Sequence, residues 1–122
     1  MTSSSSDIEI YLLKAEPSAI LEWLANELGD VEQQQQKGDS HLWTINGMNI
    51  VFTPNAEANF GCLWIKQNNT DWATDLDCAR SAHAALEREV RCAASEWSES
   101  KADEQPGWVK ITRGVEKPFD WD

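Results

Sequence analysis

The sequence predicts an α+β fold: a curved antiparallel sheet of roughly five to seven strands with two helices packed on one face. Three observations predict it. Two segments repeat apolar residues at helical spacing: Ile20, Leu21, Leu24 and Leu28 in one, and Leu76, Ala79, Ala82, His83, Leu86 and Val90 in the other. Between and around them lie short runs of strand formers, and one pair of runs flanks Asn46-Gly47, the strongest short hairpin signal. The length, 122 residues, suits one domain, expected over residues 8 to 122.

Each element follows from its residues. Residues 1 to 7, Met-Thr-Ser-Ser-Ser-Ser-Asp, lack the basic and apolar stretches of a secretory signal and are expected to be a disordered polar lead. Ile8 to Leu13 alternates and reads as the first strand. Pro17 suits a first helical turn, where its missing N–H costs nothing, so a helix is expected over about 17 to 28, with Gly29 as its left-handed cap. Val31 to Gln36 contains four consecutive glutamines, too polar for a buried central strand, and is placed at an edge or on a solvated face. Lys37-Gly38-Asp39 is a turn.

His41 to Ile45 and Met48 to Thr53 form the hairpin around Asn46-Gly47. A two-residue turn sets Ile45 opposite Met48, Trp43 opposite Ile50 and His41 opposite Phe52, all on the face the helices cover. Leu42, Thr44, Asn49 and Val51 take the other face. Pro54 to Asn59 is expected as a loop, and Phe60 to Gln67 as the most apolar strand. Thr70 or Thr74 caps the second helix, expected over about 74 to 88, and Thr74-x-x-Asp77 resembles a capping box. Glu89 to Ser95 reads as a strand, 96 to 107 as a mobile acidic loop, Trp108 to Arg113 as a last strand and Gly114 to Asp122 as a tail.

The resulting order, β-α-β-β-β-β-α-β with one further strand optional, resembles one repeat of the TATA-box-binding protein fold in topology only. The resemblance implies both helices on one face of a curved sheet. It does not carry over DNA reading, which needs basic side chains and intercalating aromatics. Fold does not imply function.

Charge narrows the function classes. Asp and Glu number 21 against 10 Lys and Arg, a formal charge of −11. Nucleic-acid binding needs clustered positive charge and is not expected. No run approaches a membrane span. The three cysteines, Cys62, Cys78 and Cys92, have no C-x-x-C spacing and read as reduced and mostly buried, which fits a cytoplasmic location. Seven tryptophans supply core area in a short chain. Trp72, Trp97 and Trp121 lie in polar or acidic surroundings and are the candidates for a recognition surface.

Several residues have the chemistry for a site. Asp71, Asp75 and Asp77 would suit Mg²⁺, which uses one or two carboxylates plus waters. The simpler reading is acid placed at a helix N-terminus, where it complements the dipole. His41 and His83 would meet across the helix–sheet interface, where Cys62, Cys78 or Cys92 would complete a zinc site or a Cys–His nucleophile. Core or boundary histidines need neither. Arg80, Arg88 and Arg91 are the local cations, read as solvated ion pairs or as an anion fork. No Gly-rich phosphate loop, nucleophile elbow or H-E-x-x-H helix occurs. Glu96, Glu99, Asp103 and Glu104 surround Trp97, and acid beside an exposed aromatic combines steering with a desolvated anchor.

The residues favour an acidic cytoplasmic protein-binding module, of the kind an inhibitor or immunity protein represents, with a basic protein partner met through Glu96, Trp97, Glu99, Asp103 and Glu104. Neither a cofactor nor a nucleic acid nor a membrane enters this reading. The alternative is a small metal-dependent enzyme or ligand-binding domain on Asp71, Asp75 and Asp77. A homodimer would form through the open sheet face, with Leu42, Val51, Leu63 and Ile65 as its apolar residues.

Overall fold

The computed structural model describes residues 7–66, 70–72, 74–93 and 107–119. Among the described residues eight strands and two helices follow one another: β1 (Ile8–Leu13), α1 (Pro17–Leu28), β2 (Val31–Lys37), β3 (Ser40–Ile45), β4 (Met48–Glu57), β5 (Phe60–Ile65), α2 (Asp75–Leu86), β6 (Val90–Ala93), β7 (Trp108–Thr112) and β8 (Val115–Phe119). They form one open sheet in the order β2-β3-β4-β5-β1-β6-β7-β8. Every neighbouring pair is antiparallel. The N-terminal strand therefore lies in the middle of the sheet, between β5 and β6.

The hairpin at Asn46-Gly47 sets the face of the core. Asn46 and Gly47 both take positive φ, 52° and 78°, the backbone of a type I′ turn. Ile45 then opposes Met48, Trp43 opposes Ile50 and His41 opposes Phe52, as expected. Trp43, Ile45, Met48, Ile50 and Phe52 are buried, while His41 is half-buried. The same face continues through Ile8, Ile10, Leu12, Leu63, Ile65, Val90, Cys92, Val109 and Ile111, all buried in one cluster with the inner sides of both helices. From α1 come Ile20, Trp23 and Leu24; from α2 come Leu76, Cys78, Ala79 and Ala82. Trp23 stacks on Trp72 at 5.4 Å between rings and donates its indole N–H to Ser81 Oγ at 3.0 Å.

Helix ends follow local chemistry. Pro17 occupies the first turn of α1. Gly29 closes that helix by donating to Ala25 O at 3.1 Å, with φ 124° and ψ −167°, outside the left-handed helical region expected of it. Thr74, not Thr70, caps α2: its hydroxyl accepts from Asp77 N at 3.1 Å. Glu87 ends α2 in the left-handed conformation, φ 58°.

The sheet is wider than the expected five to seven strands by β8, and a second correction lengthens β4. Residues 115–119 are not a tail but β8, joined to β7 by a turn at Arg113 and Gly114 with φ 53° and 77°. Thr112 opposes Val115 across it, repeating the geometry of the Asn46-Gly47 turn. The 54–59 stretch is not all loop: β4 runs to Glu57, with a register shift between Thr53 and Glu57. Pro54 sits in that irregularity, where the ladder does not use its missing N–H. Among the described residues no helix is long and apolar enough to cross a membrane.

Candidate functional site

Of the three carboxylates of the metal alternative, Asp75 and Asp77 lie in the first turn of α2. Because α2 begins at Asp75, Asp71 is not a helical position, and its four-residue spacing does not place it beside Asp75 on one helix face. Asp75 Oδ1 accepts from Glu9 N at 3.3 Å and ties the helix to β1. Asp77 fills the first turn below Thr74 and lies 3.6 Å from the Arg80 guanidinium. Among the described residues no three His, Cys, Asp or Glu side chains converge on a point where a metal ion would sit. Arg80 also makes a forked pair with Glu116, at 2.6 and 3.1 Å, fastening α2 to the edge strand β8.

The histidines and cysteines are distributed rather than gathered. His41 lies against the rings of Trp43 and Phe52. His83 is held at both ring nitrogens: Nδ1 is 2.8 Å from Arg88 O, and Nε2 accepts from Gly114 N at 3.0 Å. A carbonyl takes only a donor and an N–H needs an acceptor, so the two contacts match the tautomer with its hydrogen on Nδ1. It joins α2, the approach to β6 and the β7–β8 turn. His83 lines an open cleft of about 560 Å³ with Glu87, Arg88, Glu89 and Arg113. All three cysteines are free. Burial pushes the Cys92 thiol up to about 12, helped by Asp75, and raises that of Cys78 as well. Cys62 is pushed up to about 12, first by burial and then by Glu9, whose carboxylate accepts from Sγ at 3.2 Å. A thiol held in its protonated form is a poor nucleophile.

Of the five residues expected to meet a partner, Glu96, Trp97, Glu99, Asp103 and Glu104, all lie outside the described residues, as does Trp121; of the 96–107 loop only Gly107 is described, and it is exposed. Trp72, the third recognition candidate, is buried against Trp23 and belongs to the core. Leu63 and Ile65 are corrected in the same way. They lie on the helix-covered face, fully buried, and leave the open face to Cys62 and Trp64.

That open face carries side chains the sequence reading did not single out together. One row crosses Cys62, Tyr11, Arg91, Lys110 and Lys117 on successive strands. A neighbouring row holds Trp64, Glu9, Trp108 and Phe119. Tyr11 meets Trp108 edge to face at 5.7 Å. The Arg91 guanidinium lies between Phe60 and Phe119, 4.2 and 4.7 Å from their centroids, and pairs with Glu89 at 2.8 Å. Trp64 is 38% exposed, with Lys66 over its ring and its N–H on Asp7. The signal was available: alternation in β7 and β8 puts Trp108, Lys110, Lys117 and Phe119 on one side once the Arg113-Gly114 turn is recognised.

The stretch around α1 carries charge of one sign. Glu16, Glu22, Glu27, Asp30 and Glu32 are all exposed, and no Lys or Arg occurs between Ala15 and Gln36. Glu22 and Glu27, on α1, thus lie across the sheet from the cations of the open face. Comparison with protein-family models, curated proteins and solved structures finds no match.

Proposed function

We propose that the chain is a non-enzymatic protein-binding module that meets a basic protein partner through its acidic side chains, in the way an inhibitor or immunity protein does, in the cytoplasm. The observation that supports it most is the charge layout. Five exposed carboxylates from Glu16 to Glu32 have no cation interleaved, in a chain whose formal charge is −11. Such a surface steers a positively charged protein over a Debye length and accelerates encounter. Steering alone gives little specificity, and the proposal assigns the short-range anchor to Trp97 among Glu96, Glu99, Asp103 and Glu104. The likeness to one repeat of the TATA-box-binding protein fold belongs to this proposal as architecture only, because function lives in the site and not in the fold.

The test is capture of partners on the immobilised chain at low salt, elution at high salt, and titration of the eluted protein against variants. A basic protein is expected to elute. Glu22→Gln with Glu27→Gln and Asp30→Gln lowers its association rate. Trp97→Ala raises its dissociation rate instead, since an aromatic anchor acts at contact. Capture that survives high salt unchanged, or a partner indifferent to all these changes, overturns the proposal.

A further inference from the structure

The two edges of the sheet differ in how they are protected. Edge strands expose unpaired N–H and C=O groups, and proteins blunt them with Pro, charge or bulges. β8 carries Pro118 together with Glu116 and Lys117. β2 has neither Pro nor charge from Gln33 to Gln36, pairs with β3 without a break over that stretch, and is exposed at every residue from Glu32 to Lys37. Its bulge lies earlier, between Val31 and Gln33. Glu32, the nearest acid, turns away from the edge to accept from Gly47 N at 3.2 Å. Gln36 donates to Gly38 O at 3.3 Å. The amides of Gln33, Gln34 and Gln35 have no side-chain partner among the described residues.

We infer that β2 is a pairing edge for a second copy of this chain, antiparallel β2 against β2, which joins two eight-stranded sheets into one. The chemistry selects a second copy over another strand. A charged edge needs a partner of opposite sign, whereas each glutamine amide both donates and accepts, so an identical amide is its complement. A two-fold axis perpendicular to the sheet keeps both helix layers on the same side. It brings together residues of the same face, so Gln34 can oppose Gln34 of the second copy and Gln33 can oppose its Gln35. The pairing closes at a dimer, because β8 is blocked at the far edge of each sheet. The formal charge of −11 on each copy opposes association until salt screens it.

The experiment is sedimentation velocity of the full chain from micromolar to millimolar concentration, at low and high salt. A reversible monomer–dimer equilibrium is expected, with more dimer at high salt. Gln33→Lys with Gln35→Lys sets like charges opposite each other across the pair and weakens the dimer about tenfold or more. This change also lowers the net negative charge by two, which alone would favour association, so a weaker dimer reports the edge and not the overall charge. Hydrogen exchange of the wild-type chain gives a second readout: amides of residues 32–37 slow on going from dilute to concentrated solution. A monomer at every concentration and salt overturns the inference. So does a Lys variant that dimerises as well as the wild type, or a dimer whose 32–37 amides exchange at the monomer rate. If circular dichroism shows the Lys variant unfolded, the wild-type exchange result decides alone.

Discussion

Single side chains explain where this molecule tolerates change. Gly61 is buried on β5, and a Cβ there would come within 2.6 Å of two ring carbons of Phe52 and 3.3 Å of the Pro54 backbone. Phe52 is itself packed in the core, so it has no room to yield. Gly61→Ala is expected to destabilise the fold by about 1–3 kcal/mol, read as a lower denaturation midpoint in urea. The thiols set an alkaline limit. Cys62 and Cys92 are raised from 9.0 to about 12, both chiefly by burial. An acid group whose folded value is raised contributes stability below its unfolded value and loses it as pH climbs towards the folded one. Stability should therefore fall between pH 9 and 12, and less steeply in Cys62→Ala with Cys92→Ala; equal slopes would contradict this. His83 illustrates what sequence could and could not supply. Its helical spacing placed it on the inner side of α2, but the groups that fix its tautomer, Arg88 O and Gly114 N, belong to backbone 5 and 31 residues away. Trp72 and Trp108 make the same point in reverse. Polar neighbours in sequence suggested that Trp72 was exposed, yet the turn from Thr70 folds it under α1 against Trp23, while Trp108 reaches the open face beside Tyr11.

Elements were legible wherever a local rule specifies the backbone. Asn46-Gly47 gave the register of β3 and β4 because both residues adopt positive φ at little cost. Arg113-Gly114 makes the same turn, but arginine at φ 53° is uncommon, and the second hairpin and β8 were missed with it. Pro54 and the residues after it read as a loop because their pairing with β5 is irregular. The position of β1 between β5 and β6 was not legible at all, since no local pattern encodes which distant strands flank a strand. The α2 cap was half legible. Thr74 and Thr70 both had the chemistry, and the choice fell to Thr74 because its hydroxyl reaches Asp77 N. Thr74→Ala is expected to cost about 1 kcal/mol, with Thr74→Ser recovering most of it in thermal or urea melts. Equal stability of all three proteins would remove the cap from the account.

At the scale of the whole molecule, an open antiparallel sheet carries both helices on one side, with Glu22 and Glu27 exposed on α1, and on the other a set of aromatic and cationic side chains with Glu9 among them. Composition revealed the excess of acid but not this separation, which depends on α1 packing over the buried face while β6, β7 and β8 turn their cations to the other. The same structure bears on the metal alternative. Asp75 is bonded to Glu9 N, Asp77 lies beside Arg80, and Asp71 stands outside the helix. A divalent ion at a hundred times its dissociation constant would add about 2.7 kcal/mol of stability. The expected outcome is an unchanged melting temperature with Mg²⁺, Mn²⁺ and Zn²⁺, and a rise that Asp75→Asn with Asp77→Asn abolishes would favour that alternative instead. The central claim, that acidic side chains bring a basic partner in, is tested most directly by the association rate constant of the captured partner as a function of ionic strength. The rate is predicted to fall steeply as salt rises. Glu99→Gln with Asp103→Gln and Glu104→Gln, or Glu22→Gln with Glu27→Gln and Asp30→Gln, should each lower the low-salt rate and flatten the slope. A wild-type rate that does not change with ionic strength would contradict the claim.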